Sequence, residues 1–357
     1  MAQQRRLTTG IFMAIANKPS IALVLGGGAP NATLMAGALV ALTEAGVEFD
    51  IISASGAGAI VGLLYAAPRK GTPLDNLRRL SDLGVSDPIY QLLPVNYKVF
   101  NKPGPAAELW RSWQSQNPLL QSIQQQADQG PWQRLLADWT SLLLATLCPS
   151  DLTPSSQGLC AHVPFIEQVV DFERLRQIAP QFYLNAYNIS HGEMRCWDKS
   201  EISHEHFLAA LSFPFIYPPY RLDDGDYIEG AAIDTLNFKQ LFRDHHHIDY
   251  TLVFDVLGSD RLLHPPRNLY DAWVQSIITP LTEIARDDLK LFEALHNKDE
   301  HGRPRTEVLK IQFDALIDPE RQQQELDWSY SNLSQLYQIG YQAGQDFIRL
   351  HRAKLLG

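Results

Sequence analysis

Short, wholly apolar runs along this chain alternate with longer stretches in which apolar residues recur every three or four positions. The first apolar run, Ile21-Ala-Leu-Val-Leu25, ends in Gly26-Gly27-Gly28 and reads as a buried strand entering a glycine turn. Helical periodicity follows from Leu34 to Ala45, and Asp50-Ile-Ile-Ser53 is a second strand. The small-residue turn Ala54-Ser55-Gly56-Ala57-Gly58 then opens another helix, Ala59 to Tyr65. Such a unit sets two loops side by side at the carboxyl ends of two parallel strands, where open α/β sheets build their sites.

The pattern changes between residues 67 and 164. This region is rich in Pro, Gln and Trp, with helical patches at Ala106–Gln114 and Trp132–Leu147. A long insertion in a compact domain is a lid or a subdomain. It is read as a helical cap over the sheet, or alternatively as an extra helical layer that touches no ligand. Beyond it, Phe182–Asn188 and Met194–Trp197 form a hairpin pattern around the His191-Gly192 turn. A helix at His206–Leu211 leads into the Pro-rich stretch Phe213–Pro219, a turn at Asp223–Asp226 and the segment Tyr227-Ile-Glu-Gly-Ala231. Tyr250–Asp255 and Val308–Phe313 are further strands. Asn268–His296 is helical, with Pro280 kinking or dividing it, and a last helix starts around Ser329 to Asn332 and runs to Leu355.

Composition narrows the classes. The 357 residues are 45% hydrophobic and 20% charged, enough for one large core, and the net charge of −10 argues against nucleic acid as a partner. The three cysteines, Cys148, Cys160 and Cys196, have no metal-ligand spacing and fit free thiols in a reducing, cytoplasmic setting. Residues 1–19, with Arg5-Arg6 before a short apolar run, are read as a tail rather than a signal peptide, because the first core strand begins at once. The longest apolar run, Leu135–Leu147, is interrupted by Asp138 and is too short to span a bilayer, which takes about 20 residues.

The glycine loop fails as a dinucleotide fingerprint, since the third glycine position is Asn31 and Pro30 interrupts the turn. As an anion cradle it offers the backbone N–H groups of Gly26, Gly27, Gly28 and Ala29, with Ala57 at the second loop; a close-packed strand-to-helix turn is the plainer alternative. The second loop has the frame of a nucleophile elbow, in which serine sits on a strained strand-to-helix turn, yet its apex is Gly56. The run His245-His246-His247 is read as a solvated turn rather than a metal site, because adjacent histidines do not converge on one centre. His191 and His206 are read as ordinary surface histidines, and Asp234 as a residue that orders its loop.

With these motifs in order, the chain resembles the patatin-like phospholipase family. That family's pattern is an oxyanion loop Gly-Gly-Gly-x-Arg-Gly, a helix, an Asp before a strand, Gly-x-Ser-x-Gly-Ala-Ile, and much later a Pro-rich segment leading to Asp-Gly-Gly/Ala. Here the positions read Gly26–Asn31, Asp50, Ala54-Ser55-Gly56-Ala57-Gly58-Ala59-Ile60, then Ala210–Pro219 and Glu229-Gly230-Ala231. The resemblance covers about residues 20–66 and 180–260 and implies an α/β three-layer sandwich with a mostly parallel central sheet. The pattern along the chain adds a tail at 1–19, a main domain at 20–260 with the cap at 67–164 inserted, and an extension at 261–357 packed on it. The resemblance also implies an acyl lipid or acyl-thioester ligand; the tryptophans of the cap suit transient contact with a membrane or lipid surface, and no cofactor or metal is expected.

The family's Ser–Asp dyad is replaced: Gly56 stands at the nucleophile position and Glu229 at the base position, while Pro30-Asn31 replaces the Arg-Gly of the loop. Loss of the nucleophile costs a serine hydrolase about 10⁶ in kcat. The first expectation is therefore acyl binding without the usual hydrolysis, with Glu229 available as a general base on water. The second is an acyl hydrolase working through Ser55 with Glu229, and the third a structural or partner-binding pseudoenzyme. Neither the oligomeric state nor the ligand's head group is legible in the sequence.

Overall fold

The computed structural model describes residues 18–28, 31–162, 166–242, 245, 247–254, 256, 265–266, 268–313 and 327–357. Most of the 1–19 tail therefore lies outside the described residues. At its inner end the Ser20 amide donates to Asp249 Oδ2 at 2.8 Å.

The sheet is built on β1 (Ile21–Leu25), which lies between β2 (Ile51–Ala54) and β7 (Tyr250–Phe254). All three pair in parallel, with Leu25 opposite Ala54 on one side and Phe254 on the other. Parallel strands covered on both faces need continuous apolar runs, and every residue of β1 is buried. β8 (Glu307–Lys310) extends the parallel part beyond β7, and β3 (Gln181–Asn188) extends it beyond β2. The rest is antiparallel: β4 (Glu193–Asp198) returns along β3, and β5 (Tyr220–Leu222) pairs with β6 (Gly225–Glu229). The sheet is thus mixed, with four parallel and three antiparallel pairings among the described strands.

One register places the site. β4 covers β3 from Tyr183 to Asn188, so β2 and β6 must share the opposite edge of β3. Ala54, the last residue of β2, lies beside Leu184, and Glu229, the last residue of β6, lies beside Ala186. The two strands run towards each other and meet end to end at the elbow.

Of the helices, α1 (Ala32–Glu44) and α2 (Ala57–Ala66) follow the two loops. The cap contains α3 (Pro73–Arg78), α4 (Asp87–Leu92), α5 (Pro105–Gln116), α6 (Pro118–Gln126) and α7 (Pro131–Leu147). Proline occupies the first or second position of each, where its missing N–H costs nothing. The short helices α8 (Ile166–Val169) and α9 (Phe172–Leu175) lead back to the sheet, and α10 (His204–Ala210) precedes the Pro-rich segment. α11 (Leu269–Leu291) runs through Pro280 as one helix and ends in a π turn at Phe292–His296.

α12 (Tyr330–Leu355), capped by Ser329 Oγ accepting from the Asn332 amide at 3.4 Å, covers α1. α1 is buried on all sides from Ala32 to Leu42, as a helix apolar around its circumference must be. The contact is a backbone one. A Cβ on Gly37 would overlap the backbone of Tyr337 and Tyr341, and one on Gly340 the backbone of Leu34.

The cap is held from inside by Asp138 of α7, which is buried, accepts from the Ser86 amide at 2.7 Å and pairs with Lys98 Nζ at 2.7 Å. The charge that interrupts the longest apolar run is thus its anchor. Among the described residues no helix is long and apolar enough to cross a membrane. The opposite face of α7 carries Trp132, Leu136, Trp139, Leu143 and Leu147, a helical stripe turned to solvent, with Trp132 80% exposed.

Candidate functional site

β1 delivers the glycine loop and the β2–α2 turn delivers the elbow. A Cβ on Gly58 would overlap the carbonyls of Leu25 and Gly26, so the first turn of α2 lies directly against the loop. Two of the expected anion donors are already engaged: the Gly26 amide donates to Phe254 O at 3.2 Å and the Gly27 amide to Thr235 O at 3.3 Å. Gly28, at φ +120°, and Ala57, the first residue of α2, have amides that meet no acceptor among the described residues. They are the candidate pair, because the N–H after the elbow apex is a usual half of an oxyanion hole. Ala29 and Pro30 lie outside the described residues.

Gly56 sits at the apex with φ +49° and ψ −126°, a conformation that costs a residue bearing a side chain about 1–3 kcal/mol. The neighbouring serines face elsewhere. Ser55 is buried and its Oγ donates to Asp234 O at 3.1 Å, while Ser53 Oγ donates to Asn237 O at 2.8 Å. Both hydroxyls therefore tie β2 to the 234–237 turn. Asp234 itself accepts from the Asn237 amide at 2.9 Å, and so orders that turn.

Glu229 fills the space at the apex. A Cβ on Gly56 would overlap Glu229 Oε1 and would lie 2.9 Å from Ala231 Cβ. The Glu229 amide donates to Ser212 O at 3.0 Å, which fixes the strand end, but the carboxyl has no hydrogen-bond partner among the described residues. Burial alone pushes this carboxyl up to about 8, so at neutral pH it is mainly protonated.

Five residues here carry no signal in the sequence. The Pro-rich segment turns at Phe215, φ +73°, and buries Tyr217, whose phenol burial pushes up. The Tyr217 ring stacks on His162 with centroids 5.5 Å apart, and His162 Nε2 lies 2.8 Å from Ser212 Oγ. Asp288 of α11 accepts from the amides of Thr235 at 2.7 Å and Leu236 at 3.2 Å; burial, with the Asp234 charge added, pushes its carboxyl up to about 7. None carries a local motif. Only the density of aromatics and prolines at 213–220 marks the segment, and its register against 158–162 is a tertiary fact. A cavity of about 730 Å³ opens beside this strap, lined by Glu108, Arg111, Cys160 and His162 among others, with neither Glu229 nor Tyr217 in its wall.

The remaining candidates have structural partners. His245 Nε2 lies 2.9 Å from the Tyr183 hydroxyl, and His247 lies 3.0 Å from Asp249; His246 is outside the described residues, among which no cluster suited to a metal occurs. His191 binds Asp224 O at 2.9 Å, and His206 caps its own helix through Ser203 at 2.8 Å. The three cysteines are free thiols.

The family model for patatin-like phospholipase matches residues 23–242, a span that begins within β1 and takes in the glycine loop, the elbow, the cap and Glu229. No curated protein matches the chain. Among solved structures, VipD from Legionella pneumophila aligns over 94% of this chain and 67% of its own, at 12% identity and a TM-score of 0.41. With its elbow and glycine loop inside a match that spans more than half its length, the chain belongs to the patatin-like phospholipase family.

Proposed function

We propose that this protein binds acyl lipids or acyl thioesters at the junction of the glycine loop, the elbow and Glu229, without the covalent serine step. One observation carries this reading: Glu229 Oε1 lies where a side chain on Gly56 would have to stand. The apex has no attacking atom, and the group that a dyad would use as its base occupies the vacated volume in a mainly protonated form. The locked hydroxyl of Ser55 supports the same reading, since activation needs a base within about 2.6–3.2 Å. A fluorophosphonate probe is expected to leave the protein unlabelled, while native mass spectrometry of freshly purified protein shows a co-purified acyl species. Stoichiometric labelling at Ser55 would sink the proposal in favour of a hydrolase.

The outward stripe on α7 supports a lipid surface as the partner of the cap. Its exposed residues include two tryptophans and no charge, and the chain is acidic overall, so the contact is apolar rather than ionic. Flotation with phosphatidylcholine vesicles is expected to persist at high salt and to be lost in Trp132→Glu/Trp139→Glu. Binding that needs anionic lipid, or that survives the double substitution, rejects this surface.

A further inference from the structure

The glycine loop is held from a distant part of the chain. The Thr235 carbonyl takes the Gly27 amide at 3.3 Å, and the N–H of the same peptide unit, that of Leu236, donates to Asp288 Oδ2 at 3.2 Å. A planar trans peptide points its carbonyl and its N–H in opposite directions, so fixing one fixes the other. The Thr235 amide donates to the same oxygen at 2.7 Å, so two successive N–H groups converge on one carboxyl. The loop also packs on this turn: a Cβ on Gly26 would overlap Leu236 Cδ2, and one on Gly27 would overlap Ala231 Cβ. Asp288 is seated in turn by α11, where the π turn that ends the helix stacks Phe292 on Phe238 with centroids 4.2 Å apart.

We propose that Asp288 is the positioning residue of the glycine loop: through the Thr235–Leu236 peptide its carboxyl holds the Gly27 amide and so sets the course of the chain into Gly28. Asp288 does this whatever ligand the loop takes. It lies on α11, outside the family match at 23–242, so a helix beyond that span shapes a site built otherwise within it. The elbow does not need Asp288, because the ends of the turn have ties of their own. Ser55 Oγ and Asn185 Nδ2 both donate to Asp234 O, at 3.1 and 3.0 Å, and Ser53 Oγ donates to Asn237 O at 2.8 Å. Gly26 is held separately by Phe254 O, and the Ser55 amide by Leu25 O at 3.0 Å. Loss of the carboxyl therefore frees the middle of the turn and the Gly27 amide, while the elbow and Gly26 stay in place.

The test is residue-resolved amide hydrogen exchange on the ligand-free full chain, as the native protein, Asp288→Asn and Asp288→Ala. The Gly27 rate is read against the Gly26 rate within each protein, so that a uniform loss of stability cancels. In Asp288→Ala this ratio is expected to rise by about tenfold or more, while the Ser55 amide follows Gly26 to within about threefold. Asp288→Asn keeps an acceptor oxygen and is expected to recover most of the native ratio. An unchanged ratio in Asp288→Ala overturns the proposal, as does a Ser55 amide that speeds up together with Gly27. An Asp288→Asn ratio as high as that of the alanine variant overturns it too, since lost packing would then explain both. Should Asp288→Ala fail to fold, Asp288→Leu, which fills the space without an acceptor, takes its place in the comparison.

Discussion

Replacing Gly56 with serine, the change that formally restores a nucleophile, is expected to destabilise the protein and to create no esterase. The new Cβ must adopt φ +49°, overlaps Glu229 Oε1 and crowds Ala231. Backbone strain and overpacking each cost about 1–3 kcal/mol, so the loss should be about 2–6 kcal/mol and the fall in Tm about 3–8 °C. Adding Glu229→Asp withdraws the carboxyl by one methylene. The double variant should regain part of the loss, with a coupling of about 0.5–3 kcal/mol in a double-mutant cycle. Chemical unfolding of the four proteins measures this directly. A Gly56→Ser protein as stable as the native chain and labelled at residue 56 would show that the apex is open to a side chain after all.

The second large effect is a dependence on pH. Glu229 titrates near 8 when folded, against about 4.3 for an unfolded glutamate. The raised value means that the folded state holds the proton more tightly. Below pH 4 both states are protonated and the group contributes nothing. Between about 4.3 and 8 the unfolded chain ionises while the folded one does not, so stability falls as pH rises; above 8 the loss is complete. Glu229→Gln keeps the shape and removes the charge. It is expected to match the native protein at pH 4 and to exceed it above pH 8 by about 3–5 kcal/mol. Asp288 and Asp234, whose carboxyls are also raised, slope in the same direction but are present in both proteins and cancel in the comparison. Urea unfolding at pH 4, 6 and 9 checks it, and a difference that stays constant across the series excludes Glu229 as the source.

The parallel heart of the fold was written in the sequence because a strand covered on both faces is mostly apolar: Ile21–Leu25 is so throughout, and Tyr250–Phe254 departs from it at Thr251, whose hydroxyl pairs with that of Thr306 at 3.1 Å. The elbow was legible for a related reason: small residues crowd a turn where helix and loop nearly touch. The mixed character of the sheet was less visible, since antiparallel β5 is only Tyr220–Leu222 and half-exposed, with little periodicity to read. Within the site, Gly56 and Glu229 could be picked out by position, but not the fact that one fills the space of the other. The occupied amides of Gly26 and Gly27 were equally hidden, because their acceptors, Phe254 and Thr235, lie more than 200 positions away. Tyr217 was hidden among neighbouring aromatics, since its stacking on His162 is a property of the folded state alone.

The backbone seam between α1 and α12 bears on how the protein is made. Tyr341 hydroxyl meets Glu44 at 2.7 Å across 297 positions of sequence, so the helix that follows the glycine loop lacks its outer cover until those positions have been synthesised. At about 5–20 residues per second this leaves an apolar cylinder bare on the ribosome for roughly 15–60 s, long enough for holding chaperones to engage it. The nascent protein should therefore lean on such helpers, and chains cut short before Tyr330 should stay with them.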